Sequence, residues 1–317
     1  MMCMCVLMTA FLCADGAWPG VPTMTDLGGD ASPRRPLSAR SASGLDRMAV
    51  DIPAFTHSRL ASAQAAPSPR ETAAMLLDDT RDQKVREELA RLAAPHAADV
   101  VRALVDGMPD EEKEEYRRIP WIWRVAVTAG RAKDERALQA LLDASMPNAG
   151  EPLRDWQAVV LGGGVVMGLS QAGAWPGDVM TPWLAADAAR ATRWRAALDR
   201  ALLMSDEPTV RNGTRYDALR MIAVLPWDAA GATLTRYLAR DVDAELQMGA
   251  IGGLSDLQDE RATRALVRHF PMYHEANRRH AINALLRTDA RRAQLRDAIT
   301  RGVVKDEWLT PEQRQRL

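Results

Sequence analysis

Three helix-length blocks in the C-terminal half of the chain repeat one pattern of small and apolar residues. They are "DALRMIAVLP" (217–226), "MGAIGGLSDL" (248–257) and "RHAINALLRT" (279–288). Aligned on their alanines, the blocks form three columns: Ala218, Ala250 and Ala281; Leu219, Ile251 and Ile282; and Ile222, Leu254 and Leu285. The alanines are 32 and 31 residues apart, and a second apolar helix pattern follows each block. A two-helix unit recurring at such a period is typical of an α-solenoid, in which each hairpin buries its apolar face against its neighbours.

The composition agrees with an all-α fold. Ala and Leu are abundant while β-branched and aromatic residues are sparse, which favours helices over sheets. Residues 206–225 carry the Asp…Val-Arg…Ala-Leu arrangement of HEAT repeats. We therefore predict an α-solenoid of HEAT-like helical hairpins over residues 70–317, clearest at 206–302. In this register Leu254 is buried, whereas Arg220 and Asn283, which directly follow the Leu219 column, are exposed.

Residues 1–69 are predicted to form a disordered leader. Most of this segment is rich in Pro, Gly, Ser, Ala and Arg without a period, so it cannot bury enough apolar surface to order itself. The apolar run around "MCVLMTAFLC" has the length of a signal-peptide core but no Lys or Arg before it. We expect an exported, periplasmic protein, or a cytoplasmic one if this run is not a functional signal. No later run approaches the roughly 20 apolar residues that span a bilayer.

The glycine-rich stretch 157–173, "QAVVLGGGVVMGLSQAG", has two interpretations. Gly162, Gly164 and Gly168 fit a loose variant of the dinucleotide-binding fingerprint, in which glycines follow a strand and open a helix. That fingerprint needs a βαβ unit, and no second strand ending in an acid follows about 20 residues later. As one helix from Pro152, the stretch instead uses glycines to let a neighbouring helix approach closely. We adopt the helix.

Two further motifs in the sequence point only weakly to catalysis or metal binding. "GLSQAG" resembles a nucleophile elbow centred on Ser170, but no α/β sheet surrounds it, so we expect a helix-face serine bonded to a backbone carbonyl. His274 and His280 are six positions apart, which turns them about 120° from each other around a helix. With Cys3, Cys5 and Cys13 all in the leader, no thiolate site is available to the folded part. We predict no catalytic residue, no metal and no cofactor.

Charge is balanced over the chain but uneven along it. The net charge is −1, yet residues 71–115 hold thirteen acids against six bases, and residues 261–301 hold ten arginines against three acids. The basic segment predicts an interaction surface for an acidic protein, nucleic acid or anionic lipid, or else solvated outer helix faces. The arginines assigned to this surface are Arg264, Arg268, Arg278, Arg279, Arg291, Arg292 and Arg296.

Residues 150–317 resemble a known helical segment. "LRDWQAVVLGGGVVMGLSQAGAWP" (153–176), "ELQMGAIGGLSDLQD" (245–259) and residues 277–317 are similar to the HEAT-type part of large exported proteins of the planctomycete and verrucomicrobial haem-binding, dehydrogenase-like family. In that family a β-propeller precedes the repeats and a cytochrome c domain with a CxxCH motif follows them. Because no cysteine occurs after Cys13, no haem ligand is carried over. The resemblance implies a docking module without its redox partner.

Two functions from different classes follow from the sequence. The first is a non-catalytic scaffold that binds a protein partner, including a redox or haem protein of an exported complex. The second is a nucleic-acid-binding protein similar to the helical-repeat alkylpurine DNA glycosylases. The second requires the arginines of 261–301 and of earlier repeats to line one continuous inner face. The small net charge and the leader favour the first, with no membrane span and an undetermined oligomeric state.

Overall fold

The computed structural model describes residues 66–109 and 111–317, and this part of the chain is helical with no strand. The leader predicted for residues 1–69 lies outside the described residues except for its last four. The first helix begins there: Ser68 caps it, accepting a hydrogen bond from the Glu71 backbone N–H at 3.3 Å. The Glu71 carboxylate accepts one in return from the Ser68 N–H at 2.8 Å, which completes a capping box.

The helices are numbered here in chain order. They are α1 (Pro69–Leu76), α2 (Gln83–Leu92), α3 (Ala97–Val105), α4 (Glu112–Ala132), α5 (Glu135–Ser145), α6 (155–171), α7 (Pro176–Ala185), α8 (Ala188–Asp206), α9 (Asn212–Met221), α10 (Trp227–Arg236), α11 (Ala244–Asp256), α12 (Glu260–Arg268), α13 (Glu275–Leu285), α14 (Asp289–Thr300) and α15 (Pro311–Gln315). Within these residues no helix is both long and apolar enough to cross a lipid bilayer.

Five helices form what we call the first row: α4, α6, α9, α11 and α13, each packed against the next. Along each pair of neighbouring helices, contacts that come later in one helix also come later in the other, so the two helices run in the same direction. The pairs are Ala126–Gly164 and Gly130–Gly168, Asp155–Thr214 and Gly162–Met221, Tyr216–Gly249 and Arg220–Gly252, and Ala244–Asn277 and Ser255–Arg287.

The second row consists of α5, α8, α10, α12 and α14, and ion pairs link several of its neighbours. The Arg190 guanidinium on α8 donates to both oxygens of Asp143 on α5, each at 2.8 Å. Arg261 on α12 lies 2.7 Å from the Asp228 carboxylate on α10. Helices of the two rows pack together between these contacts, as α9 does on α8 and α13 on α14.

Helix α6 confirms the helical interpretation of the glycine-rich stretch and corrects its details. It begins at Asp155 rather than Pro152, and its middle, Val159–Val166, has π-helical hydrogen bonding. All eight residues of this π segment are buried. The glycines act as predicted, because a Cβ at Gly164 would overlap that of Ala126 and one at Gly168 would overlap the Val127 carbonyl.

The three columns of the repeated blocks lie in the core. Every column residue is at most 1% exposed, including Leu219, Leu254 and Leu285 at 0%. Asn283 is exposed as predicted. The prediction for Arg220 is wrong: the residue is 5% exposed, and its guanidinium extends over Gly252, where a side chain would collide with it. Glycine on the next helix therefore makes room for an arginine that a single helix would present to solvent.

Candidate functional site

The most unusual group in the first row is the carboxylate of Asp217, in the second turn of α9. Asp217 is 6% exposed, and its side chain lies on the π segment of α6, where a Cβ at Gly163 would overlap Oδ1. At Gly162 a Cβ would overlap the backbone carbonyl of Asp217. The two glycines thus admit both the backbone and the carboxylate of this residue, which no larger residue would allow.

Two other carboxylates surround Asp217 on the neighbouring helices. Asp155, in the first turn of α6, accepts a hydrogen bond from the Thr214 hydroxyl at 3.1 Å. Glu245, in the first turn of α11, places Oε1 3.6 Å from where a Cβ of Gly213 would stand. On the other side, the Cδ1 atom of Trp123 is 3.3 Å from a Cβ built on Gly163. We call Asp155, Thr214, Asp217, Glu245 and Trp123 the Asp217 cluster.

The three acids of the Asp217 cluster are not directly paired with a cation among the described residues, and Arg220, which is paired with Asp256, acts on Asp217 only from a distance. None of them forms an ion pair within 4.0 Å there, and no hydrogen bond to the Asp217 carboxylate contributes to its titration. Burial raises the pKa of Asp217 well above its ordinary range, with Glu245 and Asp155 adding to the rise and Arg220 opposing it. Burial and the nearby Asp243 likewise raise the pKa of Glu245. Unpaired carboxylates in such surroundings are costly and are a feature of functional sites.

We expect Asp217→Asn to raise the melting temperature at about pH 8 and to change it little near pH 4. Because folding raises the pKa of Asp217, its contribution to stability is full below the unfolded pKa of about 3.9 and is lost as pH rises through the folded pKa. Asparagine has nearly the same shape as aspartate but no charge, so the variant does not lose stability as the pH rises. Thermal melts across this pH range test the expectation. Asp297→Asn, at an exposed acid paired with Arg301, is the control, and a pH-independent effect at Asp217 would contradict us.

Asp256, on the next first-row helix α11, is a buried carboxylate that does have cationic partners. Its Oδ2 accepts from the Arg220 guanidinium at 2.7 Å, and its Oδ1 accepts from Arg287 at 2.6 Å and from the Ser170 hydroxyl at 2.6 Å. The Arg287 guanidinium also stacks 3.9 Å from the ring centroid of Trp175. These contacts define the Asp256 network, in which protein groups neutralise the carboxylate, while Arg220 Nε is buried without a hydrogen-bond partner among the described residues.

Ser170 belongs to that network rather than to a nucleophile elbow. Its hydroxyl donates to the Asp256 carboxylate, so the expectation of a bond to a backbone carbonyl is wrong. Residue 170 lies on α-helix Met167–Gln171, with no strand before it. The carboxylate is in reach because Ser170 and Asp256 both stand at the C-terminal ends of their helices, and those ends share one edge of the first row.

The arginines of the predicted basic surface are distributed over three helices, and one of them is buried. Arg264 and Arg268 lie on α12 and Arg292 and Arg296 on α14, both in the second row, whereas Arg278 and Arg279 lie on α13 in the first row. Arg291 is 4% exposed and donates to the carbonyls of Ser255, Ala284 and Leu257, so it belongs to the interior. Burial lowers its pKa to about 10. Arg264 and Arg292 are ion-paired to Glu260 and Asp289.

His274 and His269 each have a ring nitrogen hydrogen-bonded to a backbone carbonyl. A ring nitrogen of His274, at the start of α13, is 2.8 Å from the Val242 carbonyl, and one of His269 is 2.9 Å from the Ala265 carbonyl. Burial lowers the pKa of His280. In the described part of the chain, no three His, Cys, Asp or Glu side chains are grouped closely enough to hold a metal ion.

Comparison with known proteins gave no match. This holds for protein-family models, for curated proteins and for solved structures. The Asp217 cluster was missed in the sequence because its acids come from three separate helices. One signal was present: in the aligned blocks Asp217 shares a column with Gly249 and His280, directly before the buried alanines. A carboxylate next to a core column is unusual enough to mark the position.

Proposed function

We propose that the chain is a non-catalytic α-solenoid of HEAT type that binds a protein partner through the first row. The observation that carries the proposal is the parallel stacking of five first-row helices with the repeated columns buried between them. Arrays in which each unit packs on its neighbours build long surfaces that suit extended partners. The resemblance to exported haem-binding proteins extends the proposal to a redox or haem protein as partner.

The distribution of charge favours a protein partner over nucleic acid. A duplex would need a continuous line of arginines. The candidate arginines divide between the two rows, and one of these residues, Arg291, is buried. The first row instead carries the unpaired acids of the Asp217 cluster, which repel phosphate. The acids suit a partner with basic groups.

Cross-linking to a captured partner tests the proposal. The full chain would be used to capture proteins from the native organism, and the complex joined with a carboxyl-directed cross-linker because lysines occur only at 84, 113, 133 and 305. We expect a stoichiometric protein partner with cross-links concentrated on first-row acids such as Glu245. Cross-links confined to the second row, or recovery of nuclease-sensitive nucleic acid alone, would contradict it.

A further inference from the structure

Asp217 is a buried acid whose counter-charge is missing from the described part of the chain. The same fold surrounds Asp256 with two arginines and a serine, yet it leaves Asp217 facing two further carboxylates. A buried carboxylate without a direct cationic partner takes up a proton rather than staying charged, and a ligand that supplies positive charge replaces that proton when it binds.

The backbone at this site is also specialised. The π-helical segment Val159–Val166 places Gly162 and Gly163 against Asp217, and π-helical turns inside α-helices are rare and concentrate at functional sites. Each glycine in a helix costs about 1 kcal/mol relative to alanine. Local stability is therefore reduced twice at one point, by the helical glycines and by the burial of an acid without a direct partner, and both features place the Asp217 carboxyl group.

The arrangement of donors and acceptors decides the chemical class of the ligand. The three acids are not close enough to share one metal ion. An organic cation differs in that it spreads its charge over several N–H donors and can reach carboxylates on separate helices. Trp123, half-buried beside Gly163, already has the Arg124 guanidinium 5.9 Å from its ring centroid, so a planar cation packs against the aromatic ring next to these acids.

We propose that the Asp217 cluster binds an organic cation, the guanidinium or ammonium group of an arginine or lysine on the protein partner. The carboxylates of Asp217, Glu245 and Asp155 accept hydrogen bonds from the cation. This inference rests on the proposed function, because it names the chemistry by which the partner is held.

Titration calorimetry of the full chain with an octa-arginine peptide tests the inference. We expect the double variant Asp217→Asn, Glu245→Gln to bind the peptide at least tenfold more weakly than wild type. The control is Glu88→Gln, Asp99→Asn, which removes the same charge from exposed acids of the acid-rich segment 71–115 and should bind like wild type. Circular dichroism verifies that both variants fold.

The outcomes separate specific binding from general attraction and separate the sources of the cation. Equal weakening in both double variants, or no binding by wild type, would overturn the inference. A second titration with spermidine distinguishes the two sources of the cation. If spermidine binds strongly through the Asp217 cluster and the peptide does not bind, the ligand is a free polyamine, and the assignment to a partner side chain is overturned. If captured partners remain bound to the cluster variant, the scaffold function stands while this inference fails.

Discussion

Asp256→Ala should lower the free energy of unfolding by about 3–5 kcal/mol, as the loss of one partner from a buried ion pair does. The Asp256 side chain is 0% exposed and the Arg220 side chain 6% exposed, so the Arg220 guanidinium stays buried without its partner when the carboxylate is removed. The Ser170 hydroxyl loses its acceptor at the same time. Urea denaturation followed by circular dichroism measures the loss.

The matched control for Asp256→Ala is Asp297→Ala. Asp297 is also paired with an arginine, Arg301, but the two side chains are 61% and 56% exposed. Exposed pairs contribute about 1 kcal/mol or less, so this variant should be close to wild type. Equal losses at the two positions would show that the Asp256 network does not hold the first row together.

Leu254→Ala should cost about 2–5 kcal/mol through the cavity it leaves in the core. Leu254 is 0% exposed, in the third column of the repeated blocks, and its helix packs on α9, α12 and α13. The control makes the same chemical change at a leucine on the surface: Leu203 on α8 is 67% exposed, and Leu203→Ala should alter stability by no more than about 0.5 kcal/mol. Similar costs in denaturant melts would mean that the repeat register is wrong.

The sequence predicted the helices and the buried columns because both depend on local periodicity. The aligned leucines and isoleucines recur with the spacing of one helix face, and that face is the one turned to the core. The glycines of the stretch 157–173 were likewise recognised as a means of close helix packing, since helical glycines with no turn to make serve that purpose.

The burial of Arg220 and Asp217 was not predictable in the same way. A first-row helix has neighbours on both sides as well as the second row behind it, so most of its circumference is in contact. Whether a polar side chain at the flank is buried depends on the residue opposite it on the next helix. Gly252 admits Arg220 and Gly163 admits Asp217, and these pairings join residues 32 and 54 positions apart. Periodicity within one helix carries no information on them.

The Asp256 network has a consequence for how this chain opens. In a stacked array each helix ordinarily touches only its neighbours, so units at the ends can unfold alone. Here Ser170, Arg220 and Asp256 lie on three successive first-row helices, and Arg287 lies two residues after the end of the fourth. Arg287 also donates to the Ala174 carbonyl at 2.9 Å. Separating α13 from the row therefore exposes the Asp256 carboxylate, which joins α11 to α6 and α9. Amide protons along these four helices should exchange as one cooperative unit rather than fray from the C-terminal end.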